Sequence, residues 1–286
     1  MKDALGDRMK MYEAAEAGRR FMPLLPILAR IDGRCFSSFT RGMGRPFDQR
    51  FVRCMVETVR KLMEETNACM GYTQSDEISL VWHSESVKTQ VWFDGRIAKM
   101  TSQLAAHATL HFYRAVETIV PGYAERLPTF DARVWQVPNR TEAANVFLWR
   151  EWDATKNSTS MAASHYYSPK QLHGKNGPER QEMLFQKGIN WNDYPTHFKR
   201  GTYVQKRVEA VPFSPVELAA LPEKHAARTN PGLLVERSVL RVLDLPPLGS
   251  LANREAVIFD GAEPQAADVA GGEPVLASAR AITPPS

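Results

Sequence analysis

Apolar residues fall into two alternating periods along the first half of this chain. Leu24 to Ile31 is a nearly unbroken apolar run that stops at Gly33, as a buried strand does where a glycine lets the backbone turn. Over Arg50 to Glu65 the spacing changes. Val52, Met55, Val56, Val59 and Met63 recur every three to four residues while Arg53, Glu57, Arg60, Lys61 and Glu64 face away, which predicts a helix packed on a sheet. Ala68 to Thr73 and Ile78 to His83 run or alternate as strands do, leaving Gln74-Ser75-Asp76-Glu77 as a tight hairpin turn. From Gly95 to about Thr118 the helical spacing returns through Ile97, Met100, Leu104, Ala108 and Phe112, and Ala132 to Val137 alternates as a closing strand. The order βαββαβ predicts an α+β fold of the ferredoxin-like kind, four antiparallel strands with two helices on one face. Many unrelated activities use that fold, so it names none of them.

Beyond this unit the pattern weakens. Positions 1–140 hold the βαββαβ core and 141–208 read as the remainder of the same functional region, within which Ser168 to Arg180, with its Pro, Gly, Lys and Asn, reads as a mobile loop. Positions 209–264 carry Val239, Leu240, Val242, Leu243, Leu251, Val257 and Ile258, enough to pack onto the core as an ordered C-terminal extension despite frequent proline. Positions 265–286 are rich in Ala, Gly and Pro, and 255–286 hold five Asp/Glu against one Arg, the composition of a disordered tail. With 286 residues and 43% hydrophobic composition the chain can bury a full core.

Charge and cysteine narrow the class. Lys+Arg exceed Asp+Glu by only 36 to 32, so any field that attracts a polyanion must be local. Residues 150–210 supply one, with ten Lys/Arg against six Asp/Glu, interleaved with Trp152, Tyr166, Tyr167, Phe185, Trp191, Tyr194 and Phe198. Such a mixture suits phosphate neutralisation and base stacking, or an ordinary division of aromatics between core and surface. Cys35, Cys54 and Cys69 are odd in number and lack metal-ligand spacing, which argues against a disulfide framework or a cysteine zinc site and fits a reducing cytoplasm. Cys54, on the first helix, and Cys69, at a strand start, read as small core residues. No apolar run reaches membrane-spanning length, and Pro23 and Pro26 interrupt the one apolar stretch near the N-terminus.

The chemistry lies in two turns. Asp32, in Arg30-Ile31-Asp32-Gly33-Arg34, stands at a strand end, and Asp76 stands in a hairpin, so two rigid places aim carboxylates at one point. Hard divalent ions such as Mg²⁺ take oxygen ligands and leave positions for water and phosphate, so two Asp and one carbonyl make a sufficient phosphoryl-transfer site. Either motif alone is also ordinary turn chemistry.

These residues carry a specific resemblance. Arg-Ile-Asp-Gly-Arg-Cys-Phe (30–36), Arg-Pro-Phe-Asp (45–48), Gln-Ser-Asp-Glu-Ile-Ser (74–79), Ala-Lys-Met-Thr (98–101) and Phe-Asp-Ala-Arg-Val (130–134), in that order, resemble the tRNA(His) guanylyltransferase family over about residues 20–207. The resemblance implies a palm-like catalytic core that adds nucleotides to the 5′ end of tRNA, in the 3′–5′ direction. It implies that ATP or GTP activates the 5′-monophosphate and that the 3′-hydroxyl of an incoming nucleotide then attacks. By the same resemblance Asp32, Gly33 and Asp76 bind two Mg²⁺ ions, and Asp32, Asp76 and Glu77 are catalytic. Arg34, Cys35, Phe36, Ser37, Arg45, Asp48, Ser75, Arg96 and Lys99 contact nucleotide. Arg96 and Lys99, three apart on the first turns of the second helix, are expected on the triphosphate. Arg133, Lys156 and Asn157 are expected on RNA, the last two reading equally well as a capping segment before Met161. A homotetramer is implied as well.

Three departures qualify the resemblance. Arg45 stands where the family usually has lysine, and Ser37 where a histidine commonly follows the phenylalanine. Thr155-Lys-Asn-Ser-Thr-Ser-Met161 replaces the His-Ile-Asn-Asn-Leu-Tyr-Asn stretch of eukaryotic members. The last resembles the guanylyltransferase-like branch of bacteria, archaea and phages, which implies template-dependent repair of tRNA 5′ ends. Addition of the extra 5′ guanylate to tRNA(His), a non-catalytic tRNA-binding protein, and a cyclase or 5′–3′ polymerase of the palm type are the alternatives.

Overall fold

A computed structural model describes residues 3–267 except 90 and 231. Among these residues six strands form one antiparallel sheet, preceded by helix α1 (Ala4–Ala17), which buries no side chain. Strand β1 (Ile27–Arg34) leads through the single turn α2 (Phe36–Phe39) to α3 (Gln49–Thr66), then to the hairpin β2 (Met70–Gln74) and β3 (Glu77–Trp82). Helix α4 (Ile97–Ile119) and β4 (Thr129–Gln136) complete the expected unit. Its strands lie in the order β4-β1-β3-β2, the ferredoxin-like arrangement read from the periodicity. The rest is α5 (Arg140–Tyr166), α6 (Pro169–Leu172), α7 (Gly177–Gln186), α8 (Thr196–Arg200), β5 (Thr202–Pro212), α9 (Pro215–Ala220), α10 (Ala226–Thr229), β6 (Leu234–Leu243) and α11 (Arg254–Asp260).

Alternation along β1 divides the core. Ile27, Ala29 and Ile31 point to one face, where Ile78, Leu80 and Trp82 of β3 join Met55, Val59, Leu62 and Met63 of α3 and Met100, Leu104, Ala108 and Phe112 of α4. Leu28 points the other way, with Met70, Tyr72 and Val81, onto Ala143, Ala144 and Phe147 of α5 and onto Leu248, Leu251, Val257 and Ile258 of the extension. Local chemistry sets the helix ends. Asp48 caps α3 by accepting from the Arg50 N–H at 2.9 Å, Asn67 closes it at φ 59°, and Asn139 caps α5 through the Glu142 N–H at 2.8 Å.

Two expectations need correction, and the expected four-strand unit is extended to six strands, because β5 pairs with β2 and β6 with β5. β5 runs across position 208, so part of the extension is continuous with the core sheet. Ser168 to Arg180 is not a plain loop: Ser168 with Gln171 and Asn176 with Glu179 form capping boxes that start α6 and α7. Lys156 and Asn157 lie in the middle of α5, exposed, so they cap nothing. At the other end, Gln265 donates its N–H to Asn253 Oδ1 at 2.9 Å and Ala266 bridges Leu251, while the tail composition from 268 onward falls outside the described residues. Cys54 is buried and Cys69 half-buried, and burial pushes both thiols up to about 11.

The junction into β5 is sterically tight. Gly201 has φ 82° and ψ −170°, and a Cβ there would come within 2.7 Å of the Thr73 carbonyl oxygen and 2.6 Å of Tyr72 Oη. Tyr72 Oη itself donates to the Arg200 carbonyl at 2.7 Å. Gly201→Ala is expected to cost about 2 kcal/mol or more, read as a lower urea midpoint at unchanged slope. An unshifted midpoint would show that this junction carries no such constraint.

Candidate active site

The site grows from strand register on the sheet face opposite α3 and α4. Asp32 lies directly across from Glu77 on one side and from Asp131 on the other, so three carboxylates stand in a row over β3, β1 and β4. The hairpin turn closes onto the same point, the Gly33 N–H donating to the Asp76 carbonyl at 3.0 Å. Gly33 must be glycine here, since a Cβ would fall 2.4 Å from the Phe36 ring and 2.8 Å from Asp76 Cβ. Phe36 cannot yield easily, because its ring packs at centroid distances of 5.0–6.0 Å against Phe39, Phe51, Phe112 and Phe130. Cys35 (φ 62°) and Ser75 (φ 52°) occupy the left-handed region beside the two turns, a local strain typical of functional sites.

Cations are distributed unevenly over these acids. Arg150 of α5 grips Glu77 with both arms, Nε to Oε1 at 2.6 Å and Nη2 to Oε2 at 2.8 Å, and also reaches Asp153 at 3.0 Å. Arg30 Nε lies 4.0 Å from the same Glu77, and Arg30 and Arg150 both lie over the Trp149 ring. Arg133 pairs with Asp131 at 3.2 Å. Among the described residues Asp32 and Asp76 make no ion pair, although the half-buried Asp76 accepts a hydrogen bond from Ser75 Oγ at 3.1 Å. Burial raises the Asp76 carboxyl above its ordinary value, and the charge of Asp32 adds to that. Glu77 is raised as well, burial outweighing the pull of Arg150. Two carboxylates without cationic partners, at the turn where the Gly33 backbone meets Asp76, offer oxygen donors of the kind that fit a hard divalent cation.

The remaining expected residues separate into groups. Arg45 and Ser75 line one cavity of about 100 Å³ with Gly44, Phe47 and Gln74, which brings the Arg45 loop to the hairpin turn. Arg34, Cys35, Ser38, Arg41 and Arg126 line a cleft of about 600 Å³, where Arg126 Nη1 holds the Phe39 and Arg41 carbonyls at 2.6 Å each. Ser37 lies exposed on α2. Asp48 is occupied as the α3 cap, and the Arg50 side chain holds its carboxyl well below the usual carboxylate range. Arg96 is the N-cap residue of α4 rather than part of its first turn, and it meets Lys99 at Phe93: Arg96 Nε donates to the Phe93 carbonyl at 3.3 Å, and Lys99 Nζ lies 5.1 Å from the ring. No side chain caps that helix and no acid lies in its first turn, so its N–H groups and both cations suit an anion. Arg133 stands across from Arg30 in the β1–β4 pairing, and Lys156 and Asn157 project from α5. Of the aromatics in 150–210, Trp191 and Phe198 are core, whereas Trp152 and Phe185 are exposed.

Sequence reasoning missed Arg150, Arg30 and Asp131 as parts of this site. Asp131 and Arg30 were readable as alternation partners once the strands were placed. Only the three-residue spacing of Arg150 and Asp153 hinted at the former, and helical spacing alone does not show which strand a cation faces.

A palm-like antiparallel sheet with paired carboxylates at a strand end and a hairpin places the chain among nucleotidyltransferases, and comparison with known proteins narrows the class. The family model of the tRNAHis guanylyltransferases (Thg1) matches residues 6–138. A bacterial tRNA(His) guanylyltransferase (Thg1)-like protein in complex with ATP is 39% identical, covering 71% of this chain and 87% of that one at a TM-score of 0.66. A second such bacterial structure, in complex with GTP, is 32% identical over 86% of this chain and 94% of that one at 0.67. The tRNA(His) guanylyltransferase of Schizosaccharomyces pombe is 30% identical over 217 residues, 68% of this chain and 77% of its own length. The chain belongs to the tRNAHis guanylyltransferase family.

Two outcomes follow from the charge distribution. Arg150→Leu strands the Glu77 carboxylate and is expected to destabilise the fold by roughly 3–5 kcal/mol, while adding Glu77→Gln recovers part of the loss. Chemical denaturation of both variants checks this, and equal stability of the two would refute it. Asp76→Asn removes a half-buried charge that lacks a cationic partner, so in EDTA it should melt above the wild type at neutral pH. Mg²⁺ is expected to raise the melting temperature of the wild type and not that of the variant.

Proposed function

We propose that this protein is a template-dependent 3′–5′ nucleotidyltransferase that repairs the 5′ ends of tRNA, acting after ATP or GTP activates the 5′-monophosphate. The observation that carries the reading is the pair Asp32, in the row, and Asp76, in the adjoining turn, left without cations while the row's other acids, Glu77 and Asp131, are paired with arginines. Such a pair, with the Gly33 carbonyl, would hold two Mg²⁺ ions. Bound there, they would ease loss of the proton from the attacking 3′-hydroxyl and offset charge on the triphosphate.

The chain's own groups have distinct tasks in this scheme. Arg96, Lys99 and the uncapped start of α4 bind the triphosphate, and Arg34 and Arg41, in the cleft beside α2, hold further phosphate. Ser75 and Arg45 contact the nucleotide from the cavity at the turn. Glu77 is held in place by the two-armed grip of Arg150, so it stays beside Asp32 without leaving the strand. The exposed Trp152, Lys156 and Asn157 of α5, with Arg133 on the sheet, supply stacking and phosphate contacts for tRNA. Thr155 to Met161, in place of the histidine–asparagine stretch, and the likeness to bacterial Thg1-like proteins support repair. The S. pombe relative keeps guanylate addition to tRNA(His) as the second reading. A homotetramer in the cytoplasm belongs to the same proposal.

The test offers each labelled nucleoside triphosphate, with ATP and Mg²⁺, to a 5′-monophosphorylated tRNA lacking its first acceptor-stem nucleotide and to intact tRNA(His). Template-matched 5′ extension of the truncated tRNA is the expected result. Guanylate added only to intact tRNA(His) would transfer the assignment to the second reading, and a cyclic product or a lengthened 3′ end would overturn both. Asp76→Asn should lose activation and addition together, by at least a hundredfold, with tRNA affinity changed less than about threefold.

A further inference from the structure

On the sheet face away from the carboxylate row, α3 and α4 bring together three side chains that the proposed reaction does not use. Glu65 lies in the last turn of α3, and His107 and His111 stand four residues apart on α4, hence on one helix face. One donor atom from each lies within 4.8 Å of the other two. His107 Nδ1 is in direct contact with one carboxylate oxygen of Glu65, and His111 Nε2 lies 2.9 Å from the other.

The hydrogen bonding of these rings is incomplete in an informative way. His107 Nε2 lies 3.2 Å from Gln103 Oε1, an acceptor that draws the ring proton to Nε2. Nδ1 then faces the carboxylate as a lone pair, and either a proton or a metal cation must lie between two such electron-rich atoms. His111 is 6% exposed, yet its Nε2 has no hydrogen-bond partner, being out of line for a bond to the oxygen 2.9 Å away. Two donors that converge on a shared third atom have this relation, since each lone pair aims at that atom and not at its neighbour. Donors at about 2.0–2.2 Å from one tetrahedral ion sit roughly 3.4 Å apart, within reach of the present separations.

We propose that Glu65, His107 and His111 bind a single transition-metal ion of the zinc class, which clips α3 to α4 behind the sheet. Two imidazoles and one carboxylate select borderline ions over Mg²⁺, and three protein ligands leave a fourth position to water on the exposed side of Glu65 and His107. Gln103 is the supporting acceptor that orients the His107 ring. The site is separate in chemistry from the all-oxygen carboxylate pair, so the two select different metals. The clip would also brace Trp92, whose ring meets His107 edge-on at 6.2 Å, and thereby the segment leading to Lys99.

Metal-stripped, untagged full-length protein, held in millimolar Mg²⁺ to fill oxygen-only positions, is titrated with Co²⁺. The proposal expects one equivalent bound, with visible absorption of the intensity given by a four- or five-coordinate nitrogen-containing site, and one-for-one displacement by Zn²⁺. His107→Ala and Glu65→Gln should each weaken Co²⁺ binding at least tenfold while Mg²⁺-dependent nucleotide transfer persists. X-ray absorption of the Zn²⁺-loaded wild type needs no variant and should show two imidazole nitrogens. An all-oxygen shell, undiminished Co²⁺ binding in His107→Ala, or no binding below about 100 μM would overturn the proposal, leaving a protonated histidine–carboxylate cluster.

Discussion

Everything at the carboxylate site depends on how β1 is registered against the β2–β3 hairpin. Asp32 pairs with Glu77, and one residue on, the Gly33 N–H meets the Asp76 carbonyl at 3.0 Å. A slip of one residue would turn Asp32 into the face covered by α3 and α4 and bring Ile31 to the opposite face, so the register is enforced by burial of Ile27, Ala29 and Ile31. The same pairing is costly, because acids directly opposite one another repel. The protein offsets that cost selectively, spending Arg150 and Arg30 on Glu77 and Arg133 on Asp131. What remains uncompensated is confined to Asp32 and Asp76, where a bound cation gains most.

The phenylalanine cluster is the second half of that constraint. Gly33 can approach the Asp76 backbone only because Phe36 turns under it, and Phe36 is held by four neighbouring rings. The ring contributions come from both helices, since Phe51 belongs to α3 and Phe112 to α4. Hydrophobic packing on one face of the sheet thus fixes the position of a charged turn on the other, a coupling that close-packed interiors transmit with little slack.

The first four strands were legible for two reasons: β4 alternates between exposed and buried positions, and β1, β2 and β3, buried along most of their length, are largely apolar runs bounded by the turns at Gly33 and at Gln74 to Glu77. β5 and β6 were not. β5 opens with Thr202, Tyr203, Val204 and Gln205 all buried, and with Thr202 and Gln205 polar it is neither an apolar run nor an alternation, while β6 lies at the sheet edge, where Arg237 and Arg241 interrupt the apolar positions. The loop expected over Ser168 to Arg180 failed for a different reason. Pro169 and Gly177 look like breakers, but each stands at the start of a helix behind a reciprocal cap, where proline and glycine are tolerated. Within the site, residues on turns could be read from local motifs, whereas Arg150 depends on how α5 lies across the sheet. His107 and His111 have a legible spacing, but the apolar stripe of α4 hides it, and Glu65 joins them only through helix packing.

The position of α5 explains why the C-terminal extension matters to the site. Glu151, next to Arg150, is 2% exposed and binds both ways, accepting from Tyr203 Oη at 3.0 Å and from the Leu248 N–H at 2.9 Å. Tyr203 belongs to β5, and Leu248 to the segment between β6 and α11 that packs with Leu251, Val257 and Ile258 against Phe147. Burial raises the Glu151 carboxyl, so these two donors are what keep a polar group there at acceptable cost. Because consecutive helix residues point about 100° apart, fixing Glu151 toward the extension also fixes the direction in which Arg150 leaves the helix. The extension, which lies beyond the family-matched residues 6–138, therefore acts at the carboxylate row without touching it, by setting the rotation of the helix that supplies the neutralising cation to Glu77.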